Sequence, residues 1–205
     1  MSVAPDASAQ PEPASGPGHY HPFAVSHDGA EVIITRLPDG TTTQTVDIMR
    51  VTPGPKATLQ PVVATPNSEG FEGLSLSPDG RWLAYTSQET GQAEVWVRPY
   101  PGPGAPVRVS PKGGTEPTWA TSGRELYYLE GRRMMAAAVQ PGPTFSFTPA
   151  QFLFETVHTS SGQPPSYDVA ADGRFLMVKG SGAQAAVPPI VLTLDWFEEL
   201  KRRVP

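Results

Sequence analysis

Four short segments of the chain share one pattern of apolar residues around a glycine. In each segment an apolar run precedes a turn and a second apolar run follows it, and the anchoring glycines are Gly29, Gly80, Gly123 and Gly173. Their separations are 51, 43 and 50 residues. A repeat of this length is typical of proteins built from stacked supersecondary units.

The columns of the repeat predict which side chains are buried. Three residues after the glycine stand Val32, Leu83, Leu126 and Leu176. Five residues after it stand Ile34, Tyr85, Tyr128 and Val178. These two columns share one face of a strand, because residues two apart point the same way. The column between them is also mostly apolar: Ile33, Ala84, Tyr127 and Met177. A strand that is apolar on both faces lies between two packed layers.

The turn itself is clearest at residues 77–80, which read Ser-Pro-Asp-Gly. Proline presets the first central position of a turn, and aspartate bonds to nearby backbone groups. Glycine accepts the left-handed conformation that closes a hairpin. In the third repeat Thr121 and Ser122 replace Pro and Asp, but Gly123 is retained. The segments are therefore predicted hairpins in which glycine is the residue that the geometry can least replace.

Further strands are predicted after each hairpin, for example Ala93–Tyr100 and a short strand from Ala105 in the second repeat. In the third repeat "RMMAAAV" and "FTPAQFLFET" take these places, and in the fourth "PPIVLTL" is a third strand with no clear fourth. About four short strands per repeat indicate an all-β fold, a β-propeller with about four visible four-stranded blades and a ring that is not necessarily complete. A short helix is predicted at about 195–203, capped by Asp195.

Composition agrees with this fold and narrows the classes of partner. The 205 residues include 25 Pro and 20 Gly, which disfavour long helices. A net charge of −5 gives no electrostatic reason to expect nucleic acid, and the absence of Cys excludes disulfides. No apolar stretch is long enough for a membrane span. Residues 1–21, rich in Pro, Ala, Ser and Gly, are predicted to be a disordered arm or linker before a propeller at 22–205.

Histidine and aspartate side chains are the candidate metal ligands of the chain. The histidines are His19, His21, His27 and His158, and the first three with Asp28 could form a metal site, but a solvated loop is the favoured interpretation. Aspartate recurs at one turn position as Asp28, Asp79 and Asp172. An Asp-Gly hairpin explains this spacing without calcium or acid–base chemistry. No metal, cofactor or catalytic residue is therefore assigned.

Serine, arginine and tryptophan residues also recur near the turns. The serines Ser26, Ser77 and Ser122 belong to turns, and the chain has no Gly-x-Ser-x-Gly motif of a hydrolase. The arginines Arg81, Arg124 and Arg174 follow the anchoring glycines and either meet an anionic ligand or are solvated strand ends, the second being favoured. The tryptophans Trp82, Trp96, Trp119 and Trp196 are predicted to fill the core.

Residues 74–101, "LSLSPDGRWLAYTSQETGQAEVWVRPYP", resemble the repeat of TolB-type β-propellers. Residues 113–139, "GGTEPTWATSGRELYYLEGRRMMAAAV", and the ending "LDWFEELKRRVP" resemble the C-terminal propeller region of bacterial membrane-anchored serine/threonine protein kinases. The chain has no Gly-rich phosphate loop, no His-Arg-Asp and no Asp-Phe-Gly, so the kinase domain is not in it. The family ring usually has about six blades, against four repeats here.

The expected function follows from the resemblance and from the lack of catalytic motifs. The chain is expected to be a non-catalytic recognition or scaffold module, the sensor or interaction part of a signalling kinase architecture, located outside the cytoplasm. Its expected partners are a protein, peptide or small-molecule ligand bound by the propeller loops, with self-association through open blade faces. The alternative is a propeller associated with a hydrolase such as a propeller-bearing peptidase.

Overall fold

A computed structural model describes residues 19–37, 45–53, 57–156 and 166–177. The first repeat forms blade 1, an antiparallel sheet of β1 (His19–Val25), β2 (Val32–Leu37), β3 (Asp47–Thr52) and β4 (Thr58–Val63) in that order. The second forms blade 2 from β5 (Glu69–Leu76), β6 (Trp82–Ser87), β7 (Glu94–Pro99) and β8 (Val107–Arg108), also in sequence order. The prediction of an all-β propeller is confirmed.

Blade 3 consists of β9 (Thr115–Trp119), β10 (Glu125–Glu130), β11 (Arg133–Gln140), β12 (Ser146–Phe147) and β13 (Gln151–Glu155). The predicted single strand "FTPAQFLFET" is wrong in one respect, because it forms two short strands that each pair with a different part of β11. Pro149 lies between them, and proline cannot donate a hydrogen bond to a ladder. Blade 4 is described by β14 (Tyr167–Val169) and β15 (Phe175–Met177).

In blades 1 to 3 the second strand divides its side chains between two apolar clusters, as its apolar pattern predicts. In β6, Leu83 and Tyr85 belong to the apolar cluster between blades 1 and 2, whereas Ala84 belongs to the cluster between blades 2 and 3. In β10, Leu126 faces blade 2 and Tyr127 faces blade 4. The blades therefore stack face to face, and the hydrophobic core is the set of layers between them.

Blade 4 departs from the repeat by one residue. In the second repeat Leu76 pairs with Leu83, seven residues on, whereas in the fourth Val169 pairs with Phe175, six residues on. A slip of one residue moves every side chain to the opposite face. Phe175 and Met177 consequently pack on the core between blades 3 and 4. The prediction that Leu176 is buried is wrong, since 75% of its surface is exposed.

Several predictions concern the ends of the chain. β1 begins at His19, so His19 and His21 lie in a strand and the first blade starts before the predicted boundary at residue 22. The predicted helix at 195–203, with Trp196, and the strand "PPIVLTL" lie outside the described residues. Within the described ranges, no helix has the length and apolar character needed to cross a membrane.

Candidate functional site

The hairpin turns are held by a serine and an aspartate that bond to each other. Ser77 Oγ donates to Asp79 Oδ1 at 2.6 Å and accepts from the Trp82 amide at 2.9 Å, while the Arg81 amide donates to Asp79 at 3.1 Å. Ser26 and Asp28 make the same contacts in blade 1, with 2.6 Å between Oγ and Oδ1. Both serines thus have structural partners, and no histidine takes part in either contact.

The directions in which the pKa values of Asp28 and Asp79 are shifted agree with a structural role in the turns. The hydrogen bond from Ser26 holds the pKa of Asp28 below its usual value. Burial alone would raise the pKa of Asp79, but the bonds from Ser77 and the Arg81 amide outweigh it and lower that pKa. In the part of the chain that is described, no three His, Asp or Glu side chains come together as metal ligands.

The described tryptophans lie in or beside the apolar layers between the blades. Trp119 is buried between blades 2 and 3, and its indole donates to the Ser75 carbonyl at 3.2 Å. Trp82 and Trp119 both contact Phe145, with ring centroids 5.5 and 6.2 Å apart. Trp96 packs at the edge of the core between blades 1 and 2. His158 lies outside the described residues.

The first strand of each blade faces a common cavity of about 230 Å³, here named the inner channel. Strands β1, β5, β9 and β14 each contribute to its wall, which is the arrangement expected at the axis of a propeller. Its lining residues are Phe23, Ala24, Gly73, Leu74, Ser75, Leu76, Glu116, Pro117, Thr118, Tyr167 and Asp168. The wall is mostly backbone, aliphatic and hydroxyl groups, with two carboxylates.

Glu116 is the buried carboxylate of the inner channel, and sequence analysis did not find it. Its side chain accepts hydrogen bonds from the amide and the hydroxyl of Ser166, the former at 2.8 Å, and the Tyr167 hydroxyl donates to its carbonyl at 2.7 Å. Its φ of 55° is unusual for a residue with a side chain. These contacts join blade 3 to blade 4 at the channel. Both side-chain bonds go to one carboxylate oxygen, and no hydrogen bond from a described residue reaches the other.

Two further buried carboxylates flank Ser87 in one row across blade 2. Glu69 on β5 and Glu94 on β7 are both opposite Ser87 on β6. Glu94 accepts from Thr90 at 2.8 Å and Gln92 at 3.0 Å and pairs with Arg108 at 3.4 Å. One oxygen of Glu69 accepts from the Thr65 hydroxyl at 2.7 Å, and no hydrogen bond from a described residue reaches the other.

The carboxyls of Glu69 and Glu94 are expected to change the free energy of unfolding in opposite directions as pH rises. Burial raises the pKa of Glu69 in the folded chain despite the Thr65 bond. The stability that this carboxyl contributes is therefore full below its pKa in the unfolded chain and is lost as pH rises through its pKa in the folded chain. Burial would also raise the pKa of Glu94, but the bonds from Gln92 and Thr90 and the charge of Arg108 lower it. The contribution of Glu94 is therefore present above the unfolded pKa and lost as pH falls.

Urea unfolding of Glu69→Gln and Glu94→Gln between about pH 2 and about pH 8 measures this difference. Glu69→Gln is expected to be more stable than the parent at neutral pH, with the gain disappearing below about pH 4. Glu94→Gln is expected to be less stable at neutral pH and to converge on the parent in acid. Two variants with parallel pH profiles would contradict the assignment of opposite pKa shifts.

A second cavity, the turn cleft, lies between the hairpin turns of blades 2 and 3 and has a volume of about 400 Å³. It brings together two of the three predicted arginines, Arg81 and Arg124, whereas Arg174 is bonded to Asp172 in its own turn. The remaining lining residues are Ser77, Pro78, Asp79, Trp82, Ser122, Gly123, Val139, Gln140, Pro141 and Gly142.

A third cavity of about 510 Å³, the rim groove, lies along the outer strands of blades 2 and 3. Its wall is mainly apolar and includes Val109, Tyr128, Met135 and Phe147. Lys112 also lines it, together with Arg108 and Arg133, which are paired with Glu94 and Glu130.

Solved structures with the same arrangement of strands include TolB proteins. A protein assigned as TolB from Agrobacterium tumefaciens matches 68% of this chain and 52% of its own length, at 18% identity and a TM-score of 0.50. The fold is that of a TolB-type β-propeller. The chain spans about half the length of that protein. No protein-family model and no curated protein matches the sequence.

Two other structural matches to this TolB-type propeller are weaker. TolB from Acinetobacter baumannii matches 75% of the chain and 41% of its own length, at 16% identity and a TM-score of 0.48. A protein assigned as 6-phosphogluconolactonase from Bacteroides uniformis matches 77% of the chain and 47% of its own length, at 17% identity and a TM-score of 0.47. At these levels of identity the likeness concerns the fold and not the activity.

Proposed function

We propose that this TolB-type propeller is a non-catalytic recognition module that presents the turns and loops around its inner channel to a protein, peptide or small-molecule ligand. The observation that supports this most is the chemistry of the turns and the channel. The hydroxyls of Ser26 and Ser77 and one oxygen of the Glu116 carboxylate are bonded to groups of turns or strands. In the described ranges, no serine hydroxyl is bonded to a histidine base, as nucleophilic catalysis would require.

We further propose that the module belongs to a signalling architecture with a serine/threonine kinase domain, as its sensor or interaction part outside the cytoplasm. Support comes from the likeness of residues 113–139 and of the chain ending to the propeller region of such kinases. The neighbouring coding sequence tests this proposal. A kinase domain and one membrane span upstream would support it, and a Gly-x-Ser-x-Gly domain downstream would favour the hydrolase-associated alternative.

Catalytic inertness is the expected result for the purified chain. We expect no ATP-dependent phosphate transfer and no hydrolysis of peptides, glycosides or sugar lactones above the level of a blank preparation. The physical reason is that no nucleophile, base and oxyanion donors are assembled at one place in the described residues. Turnover that survives repurification, and that is lost on substitution of a channel residue such as Glu116, would reject a purely binding role.

Self-association is a second expected property. Blade 1 carries an apolar cluster of Ile34, Met49 and Val51 on the face turned away from blade 2. The described strands of blade 4 make no extensive contact with this face. These three side chains are buried, each with 6% of its surface exposed, so the expectation rests instead on the number of repeats, four against about six in the family ring. A ring short of blades leaves a blade face or strand edge free to pair with a second copy. Light scattering after size exclusion should therefore give a mass above 21.9 kDa that rises with concentration. A compact monomer that unfolds cooperatively would mean that the chain needs no second copy.

A further inference from the structure

The charge of the third turn differs from that of its neighbours. In the second and fourth repeats the arginine after the glycine lies beside the aspartate of its own turn. The distances are 3.9 Å for Arg81–Asp79 and 2.7 Å for Arg174–Asp172. In the third repeat a serine, Ser122, occupies the aspartate position. This repeat therefore has the basic residue without its acidic neighbour.

Ser122 supplies one function of the missing aspartate and not the other. Its hydroxyl accepts a hydrogen bond from the Arg124 amide at 3.3 Å, so the turn keeps its backbone geometry. A hydroxyl carries no charge, however, and the Arg124 guanidinium forms no ion pair with any described residue. Arg124 is exposed at the wall of the turn cleft, with its charge available to a ligand.

Arg81 reaches the same cleft from the neighbouring blade and is already oriented. One of its terminal nitrogens donates to the Gly142 carbonyl at 3.0 Å, and its guanidinium carbon lies 5.4 Å from the centroid of the Trp82 ring. These two partners are neutral and fix the side chain, while Asp79, 3.9 Å from the other terminal nitrogen, balances part of its charge. Two guanidinium groups against one carboxylate, Asp79, leave the cleft with a net positive charge in a chain whose net charge is −5.

We propose that the turn cleft binds an acidic peptide segment of a partner protein, with an Asp or Glu carboxylate held by Arg81 and Arg124. An apolar side chain next to that carboxylate would pack against Trp82 and Val139. Arginine suits this task because its planar fork of donors matches a carboxylate. The inference rests on the proposed recognition function and names the partner chemistry of one surface, separate from the inner channel.

The test uses the whole chain and a displayed library of random 12-residue peptides. Peptides selected on the parent protein are expected to be enriched in Asp and Glu, and their binding should weaken as salt rises. Arg124→Glu should weaken binding about tenfold or more, and should itself select peptides with Lys or Arg at the enriched position. Lys112→Glu is the matched control, because it makes the same change of net charge in the rim groove and should leave binding unchanged.

The outcomes separate this inference from the proposed function. Peptides that bind without a preference for Asp or Glu would contradict the binding of acidic peptides at the turn cleft. So would peptides that bind the Arg124→Glu and Lys112→Glu variants equally well. Either result would leave the proposed recognition function standing. Replacement of the enriched Glu by Gln in a selected peptide with no loss of binding would also overturn the inference about the turn cleft. Failure to select any peptide would count against both. Melting curves of each variant establish that the fold is retained.

Discussion

Leu126→Ala is expected to lower the free energy of unfolding by about 3 to 4 kcal/mol. Leu126 is fully buried in the layer between blades 2 and 3, where Val95, Met135 and Tyr128 belong to the same cluster. Truncation removes the transfer energy of the leucine side chain and leaves a cavity that a rigid sheet pair fills poorly. Urea unfolding followed by circular dichroism measures the loss.

Leu176→Ala is the matched control, because both leucines stand three residues after an anchoring glycine. Since Leu176 is 75% exposed, its truncation is expected to change stability by no more than about 0.5 kcal/mol. Equal losses for the two variants would mean that blade 4 has the same strand register as the other blades, which would contradict its one-residue slip.

Gly80→Ala is expected to destabilise the chain by about 2 to 4 kcal/mol. Gly80 has a φ of 72°, and a Cβ built on it would lie 2.9 Å from the Cβ of His27. The first effect is the strain of an L-residue in the left-handed region, and the second is a clash between the turns of blades 1 and 2. The atom that the new methyl group meets is close to the backbone, so it cannot move away without shifting a turn.

Gly123→Ala separates these two effects. Gly123 has a φ of 68°, nearly that of Gly80. A Cβ added to Gly123 would lie 3.7 Å from the nearest atom, in Pro78, which is an ordinary van der Waals contact. Its expected cost is the conformational strain alone, about 1 to 2 kcal/mol. Thermal or urea unfolding of both variants gives the comparison. Equal costs would show that the contact with His27 relaxes freely, and a stabilising Gly123→Ala would mean that the turn is misassigned.

The sequence determines the blades better than it determines the last register. The glycine-anchored pattern located all four hairpins because turn chemistry and alternating burial are local properties of the chain. The slip in blade 4 could not be read from the pattern, since Phe175, Leu176 and Met177 are all apolar and either register gives an acceptable strand. Contacts with blade 3 decide it, and those contacts are remote in sequence.

The candidate surfaces were only partly predictable for the same reason. The recurrence of arginine after the turn glycine is visible in the sequence, but the pairing of Arg81 and Arg124 in one cleft depends on how adjacent blades stack. Glu116 and Glu94 carry no sequence signal, because a carboxylate in a strand is ordinarily solvated. Ser166, which donates to Glu116, is 50 residues away in the chain, whereas Thr90 and Gln92, which donate to Glu94, lie in the turn before β7.

Hydrogen exchange of the whole chain with a selected peptide bound is the most direct measurement of the recognition role. Protection gained on binding is expected at the walls of the turn cleft, at residues 77–82, 122–124 and 139–142, with exchange at the channel wall of β9 unchanged. Protection gained only at the outer strands β8, β12 and β13, or no ligand that alters exchange at all, would contradict that role.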